Sequence, residues 1–222
     1  MCGIAGYFEP GQRRASPDLL LKMAQAIHHR GPDDAGAWTD DGVGMGLGHR
    51  RLSIMDLSPA GHQPMVSASG QRVLVFNGEI YNFTELHAEL EQQGRAPAWR
   101  GHSDTETLLA AFEAWGVEQT LKRARGMFAL ALWDRQNRTL TLARDRLGEK
   151  PLYYGWQMKG QQPAFLFGSE LKALREHPSF AGEVDRSAVC LLLRHNCVPA
   201  PYSIYRGISK LMPGHYLTLT EA

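Results

Sequence analysis

The chain has 222 residues, of which 43% are hydrophobic, enough to bury one large core or two small ones. Its 24 basic and 23 acidic side chains leave a net charge of +1, which argues against a nucleic-acid or anionic-membrane partner. No signal-like leader or bilayer-length apolar run is read, and three cysteines without paired spacing point to a reducing, cytoplasmic compartment rather than a disulfide scaffold or zinc site.

In chain order, residues 2–8 predict a strand beginning at Cys2, and Glu9-Pro10-Gly11 turns it. Ser16 then caps a helix with Pro17 at its first position, and Leu20, Met23, Ala24 and Ile27 give it one buried face. Residues 29–36, His-Arg-Gly-Pro-Asp-Asp-Ala-Gly, form a turn-rich loop. Residues 43–54 predict a strand or strand pair. The glycines at 44, 46 and 48 run into extended chain rather than a helix, so close backbone packing accounts for them better than a dinucleotide loop.

A short strand is predicted over 72–76, broken by Asn77-Gly78. Asn82 with Glu85 opens a helix that Gly94 ends, and residues 103–106, Ser-Asp-Thr-Glu, open a second that Gly116 closes. Residues 126–133 and 139–144 predict an antiparallel hairpin. Met127, Ala129, Ala131 and Trp133 share one face, and Phe128, Leu130 and Leu132 the other. Both faces are apolar, so this hairpin needs a second sheet on one side and helices on the other. That implies an α+β fold, a four-layer α-β-β-α sandwich of two mainly antiparallel sheets. Further strands are expected at 152–156 and 165–167, and a last helix from Asp185 to Leu193. The proline-punctuated segment 199–222 reads as irregular chain leading out of a domain that spans 1–198.

The residues leave several roles open. Cys2 is either a small buried cysteine or, once Met1 is trimmed, a nucleophile carrying its own α-amine as base. Asn77 and Gly78 are either a hairpin turn or the donors of an oxyanion site. Arg51 is a surface arginine or a carboxylate clamp, and Glu79 and Asp104 are ordinary acids, one near a helix cap, or partners for an ammonium group.

Six ordered segments resolve this choice: Met1–Gly6, His29–Asp33, Arg51–Ile54, Val75–Asn82, Ser103–Glu106 and Arg144–Tyr154, with Gly168–Leu174 in support. With these motifs the chain resembles the class II glutamine amidotransferases of the N-terminal nucleophile hydrolase superfamily, and most of all the glutaminase half of asparagine synthetases. The resemblance implies that Cys2 attacks the glutamine side-chain amide and that Asn77 and Gly78 hold the oxyanion. It implies that Arg51 binds the α-carboxylate beside Leu52 and Ile54, and that Glu79 and Asp104 bind the α-ammonium. Arg50, on the opposite face of its strand, receives no role.

The family's second domain carries a Ser-Gly-Gly-x-Asp-Ser loop that is absent from these residues. The expectation is therefore a glutaminase portion, as a fragment or a stand-alone homologue. It needs no cofactor of its own, and ATP and Mg2+ belong to the synthetase domain. The expected partners are L-glutamine and that C-terminal domain, with a homodimer left open and neither nucleic acid nor membrane. Alternatives are a non-aspartate ammonia acceptor, such as a sugar or peptide precursor, a non-catalytic assembly or regulatory domain of the same fold, and an N-terminal nucleophile hydrolase acting on peptides or acyl amides.

Overall fold

The computed structural model describes residues 1–40 and 42–220. The first sheet is built around β1 (Gly3–Glu9). This strand pairs antiparallel with β3 (Gly44–Arg51), which in turn pairs with β2 (Asp34–Asp40). On its other side β1 pairs with β9 (Ala164–Gly168), followed by β8 (Tyr153–Gln157) and β10 (Ser209–Lys210). The second sheet runs β11 (Tyr216–Thr220), β7 (Thr139–Arg144), β6 (Gly126–Asp134), β5 (Arg72–Ile80) and β4 (Met65–Val66).

Three apolar layers separate four structural ones. Between the sheets, Ile4, Met45 and Leu47 meet Val73, Val75, Ala129, Ala131 and Trp133. The other face of the second sheet, with Leu74, Phe76, Phe128, Leu130 and Leu132, packs on α2 (Phe83–Gln92) and α3 (Asp104–Arg123). The outer face of the first sheet, with Ala5, Tyr7 and Leu166, packs on α1 (Pro17–Gln25) and α4 (Leu171–Arg175). The two-faced hairpin thus lies where its burial pattern requires, with Ala129, Ala131 and Trp133 inward between the sheets and Phe128, Leu130 and Leu132 toward helices. Ser16 caps α1 by accepting from the Leu19 N–H at 3.2 Å. The strand glycines serve close packing: a Cβ on Gly46 would stand 2.8 Å from the Leu20 side chain of α1.

Several elements differ from expectation. Asn77-Gly78 does not break a strand, because β5 runs through it to Ile80, with Asn77 opposite Ala129 and Gly78 opposite Phe128. A Cβ on Gly78 would come within 2.2 Å of the Met127 carbonyl oxygen, so the glycine permits close strand pairing rather than a turn. β2 forms from a stretch with few β-branched residues because β3 supplies seven consecutive partners, Arg51 back to Met45, for Asp34 to Asp40. Asn82 does not cap α2 with its side chain. It bridges instead to the backbone of Arg123 and Arg125. Gly116, at φ 76°, kinks α3 rather than ending it.

The expected boundary at 198 needs a correction in its irregular tail. Within 199–220, β10 adds an edge strand to the first sheet and β11 one to the second, where Leu217 and Leu219 reach the inter-sheet core. An α5 (Arg186–His195), capped by Asp185 as predicted, precedes them. No helix among the described residues is long and apolar enough to cross a membrane.

Candidate active site

Strand alternation delivers the site. The β1–β3 register pairs Gly3 with Arg50 and Ile4 with His49, and so places Cys2 opposite Arg51 at the head of the strand pair. Ile4 and Leu47 point between the sheets. Residues of the same parity, Cys2, His49 and Arg51, share that face. From the opposing sheet Asn77 shares the face of Val73 and Val75. The inter-sheet gap ends there in a pocket of ≈ 140 Å³. All eight expected residues line it: Cys2, Arg51, Leu52, Ile54, Asn77, Gly78, Glu79 and Asp104.

Cys2 Sγ lies 3.4 Å from the Leu52 N–H and 3.6 Å from the Leu52 carbonyl oxygen. Burial raises its thiol pKa, against a smaller opposing pull from the Leu52 N–H. The thiol therefore stays protonated at neutral pH and needs a base to become a nucleophile. Met1 precedes it here with its Sδ 3.5 Å from Lys150 Nζ, so the Cys2 nitrogen is an amide until Met1 is removed.

Two residues of β5 line the same pocket as Cys2. Asn77 is 1% exposed, and its Nδ2 has no hydrogen-bond partner among the described residues. Buried donors left unpaired are uncommon, and a catalytic role is one of their physical explanations. Gly78 supplies a second donor. Along one edge of β5 the Phe76 N–H donates to Gln63 Oε1 at 2.7 Å and the Ile80 N–H to Asp104 Oδ2 at 2.8 Å. Gly78 sits between them with the same parity, so its N–H leaves the same edge, into the pocket. The strand is open there because β4 covers only Val73 and Leu74.

The charged walls lie at either side. Arg51 is buried, and donates to the carbonyl oxygens of Asp56 and of Ser58, the latter at 3.1 Å. Among the described residues these are two bonds for its five N–H donors. Gly61 makes room for the guanidinium: a Cβ there would stand 2.1 Å from Arg51 Nη2. The Asp56 carboxyl, held at about 2 by the Ser58 hydroxyl and the N–H groups of His102 and Ser58, locks this loop. Asp104 is the first residue of α3, where the helix dipole favours a carboxylate. The cap itself is Ser103, which accepts from the Glu106 N–H at 3.2 Å, while Glu106 binds the Arg100 and Gly101 N–H groups instead of closing a capping box. Burial raises the Asp104 pKa, and the Ile80 and Thr105 N–H groups pull it back. Glu79 lines the same wall.

Sequence reasoning left out the residues that brace this arrangement. Arg30 Nε donates to the Cys2 carbonyl at 3.0 Å, and Arg30 Nη1 to Glu170 at 2.8 Å. Burial alone would raise Glu170, but Arg30, His29 and Lys172 outweigh it and hold it at about 2. Asp33 fastens the other side: its N–H donates to the Arg51 carbonyl at 3.0 Å and its carboxylate accepts from the Ser53 N–H at 2.8 Å. Arg50, given no role, donates to the Gly31 carbonyl at 2.8 Å and so ties the same loop. Both segments stood among the matching motifs. The pairing of Arg30 with Glu170, 140 residues apart, carried no local signal.

A four-layer two-sheet sandwich, with a cysteine at the head of an interior strand facing a pocket on the inter-sheet gap, is the architecture of a class II glutamine amidotransferase. A family model described as a glutamine amidotransferase domain matches residues 1–222. The chain belongs to that family.

Among curated relatives, it is 34% identical over 225 residues to an asparagine synthetase [glutamine-hydrolyzing] of Bacillus subtilis, covering 100% of this chain and 35% of the relative. It is 39% identical to a putative asparagine synthetase [glutamine-hydrolyzing] of Mycobacterium bovis, covering 96% of this chain and 34% of the relative. The chain thus spans about a third of the length of these relatives. A solved glutamine phosphoribosylpyrophosphate amidotransferase from B. subtilis superposes with a TM-score of 0.62 at 22% identity, over 78% of this chain and 43% of that one, and shares the fold.

Proposed function

We propose that these residues form a glutaminase that releases ammonia from L-glutamine through a thioester on Cys2. Removal of Met1 frees the α-amine, which takes the thiol proton. Sulfur then bonds to the side-chain carbonyl carbon, and the carbonyl oxygen becomes an anion held by Asn77 Nδ2 and the Gly78 N–H. The amine returns its proton to the leaving nitrogen, the C–N bond breaks, and ammonia departs. Water then cleaves the thioester to glutamate and regenerates the thiol. Arg51 grips the α-carboxylate, Glu79 and Asp104 grip the α-ammonium, and Leu52 and Ile54 line the pocket between.

The observation that carries this reading is the unpartnered, buried Asn77 amide in the same pocket as Cys2, Arg51 and Asp104. Likeness to the asparagine synthetases supports a further step: the ammonia serves ATP-activated aspartate in a C-terminal synthetase domain, where ATP and Mg2+ would bind. The test is ammonia release from glutamine by Met1-free protein, expected to vanish in Cys2→Ala. Release that persists in Cys2→Ala contradicts the proposal.

A further inference from the structure

The free edge of β5 is held by side chains where a strand would otherwise lie. At Phe76 the N–H donates to Gln63 Oε1 at 2.7 Å, and His49 Nε2 lies 3.1 Å from the carbonyl oxygen, which accepts its proton. A buried carbonyl in that position needs such a donor. Both side chains are enclosed, His49 at 1% exposure and Gln63 at 5%. Gln63 Nε2 continues to Thr105 Oγ1 at 3.4 Å, and that hydroxyl donates to Asp104 Oδ1 at 3.4 Å. Asp104 Oδ2 closes the circuit by accepting the Ile80 N–H. The circuit leaves the strand two residues before Gly78 and returns two residues after it.

We propose that Gln63 and His49 are positioning residues for amide hydrolysis: by fixing the Phe76 peptide groups they keep the Asn77 amide and the Gly78 N–H aimed at one point, and Gln63 ties that strand edge through Thr105 to Asp104. Neither residue needs to touch glutamine. Phe76 precedes the first donor directly, so any slide or twist of its peptide moves both. Preorganised donors contribute to rate only while aimed at the position of the developing anion. The imidazole stays neutral, so its hydrogen bond is a fixed support across the working pH range.

This inference rests on the glutaminase reading, and the experiment separates the two. Kinetics of ammonia release are measured for the unsubstituted Met1-free protein and for His49→Leu, His49→Gln and Gln63→Met. Inhibition by glutamate γ-semialdehyde, which forms a tetrahedral adduct with a thiol, is compared with inhibition by glutamate, which does not. His49→Leu and Gln63→Met are expected to lower kcat by about 10- to 100-fold, with KM moved by less than about threefold. Aldehyde affinity should fall by the same factor as kcat and glutamate affinity should hold, and His49→Gln, which keeps a donor, should recover most of the loss.

Where a variant fails to fold, Thr105→Val removes the shared hydroxyl with little change of shape and is read the same way. Unchanged kcat in the folded variants, or aldehyde and glutamate affinities that fall together, overturns the proposal. Absence of ammonia release from the unsubstituted protein overturns the glutaminase reading itself, and this inference with it.

Discussion

Arg30 holds the backbone of Cys2 rather than its thiol: its Nε donates to the Cys2 carbonyl at 3.0 Å, while its Nη1 is anchored on Glu170 at 2.8 Å. The residue that carries the proposed nucleophile is thereby fixed at the one point where β1 has not yet begun. Replacing Arg30 with Met keeps the apolar stem but frees that carbonyl and leaves Glu170 with His29 and Lys172 alone. The expected outcome is a fall of about tenfold or more in kcat for ammonia release, with a stability loss of about 1–3 kcal/mol in denaturant melts. A rate equal to that of the unsubstituted protein would remove Arg30 from the site's support.

Asn77→Ala separates function from folding. The Asn77 Nδ2 makes no hydrogen bond among the described residues, so deleting it takes away no hydrogen bond described for that group. Removal of one such donor is expected to lower kcat by about 10²- to 10³-fold while the melting temperature stays level or rises slightly. A large loss of stability would return Asn77 to a structural role.

Gly78→Ala should act through folding. The added Cβ would meet the Met127 carbonyl oxygen at 2.2 Å and the Phe128 Cα at 2.7 Å, both backbone atoms of the paired strand. Since neither can move without parting β5 from β6, a loss of at least ~3 kcal/mol is expected in urea melts. A variant as stable as the original would show that the two strands pair more loosely than described.

Much of this was legible beforehand, and the difference between what was and what was not is physical. The two apolar faces of residues 126–144 demanded two covering layers, and the sandwich supplies them. All eight anticipated site residues converge on one pocket because ordered motifs name residue types whose chemistry is local. The strand through Asn77-Gly78 was hidden because that dipeptide is the strongest short hairpin signal, and only the β6 backbone reveals the need for a glycine without a turn. Arg30–Glu170, Gln63–Phe76 and His49–Phe76 are side-chain bonds between residues distant in sequence, and no periodicity announces them. The strands in 199–220 were masked by Pro199, Pro201 and Pro213, which punctuate the chain between elements rather than within them.

Stability should fall in acid in two stages. His49 is lowered from 6.5 to about 4, chiefly by burial and partly offset by the Phe76 carbonyl, and burial also lowers His177 to about 4. A histidine with a depressed folded pKa contributes stability above its unfolded value, and that contribution is lost as pH falls toward the folded one. The first stage therefore lies between about pH 6.5 and 4, with His49 contributing about 3 kcal/mol. Asp56 and Glu170, both held at about 2, add a second decline below pH 4. Urea melts from pH 8 to 3 should show both, and His49→Gln should flatten the first. A first stage unchanged in that variant would contradict the burial of a neutral imidazole.

In the proposed glutaminase, sulfur and a free amine at residue 2 act together in a pocket that recognises both charged ends of an amino acid. Intact-protein mass spectrometry after treatment with a diazo-ketone analogue of glutamine reads this out at the nucleophile itself. Met1-free protein should gain one analogue adduct, mapped to Cys2 and blocked by excess glutamine, while protein that retains Met1 should gain far less. No adduct on Cys2 in the Met1-free form, or equal labelling of the exposed Cys190 and Cys197, would contradict it.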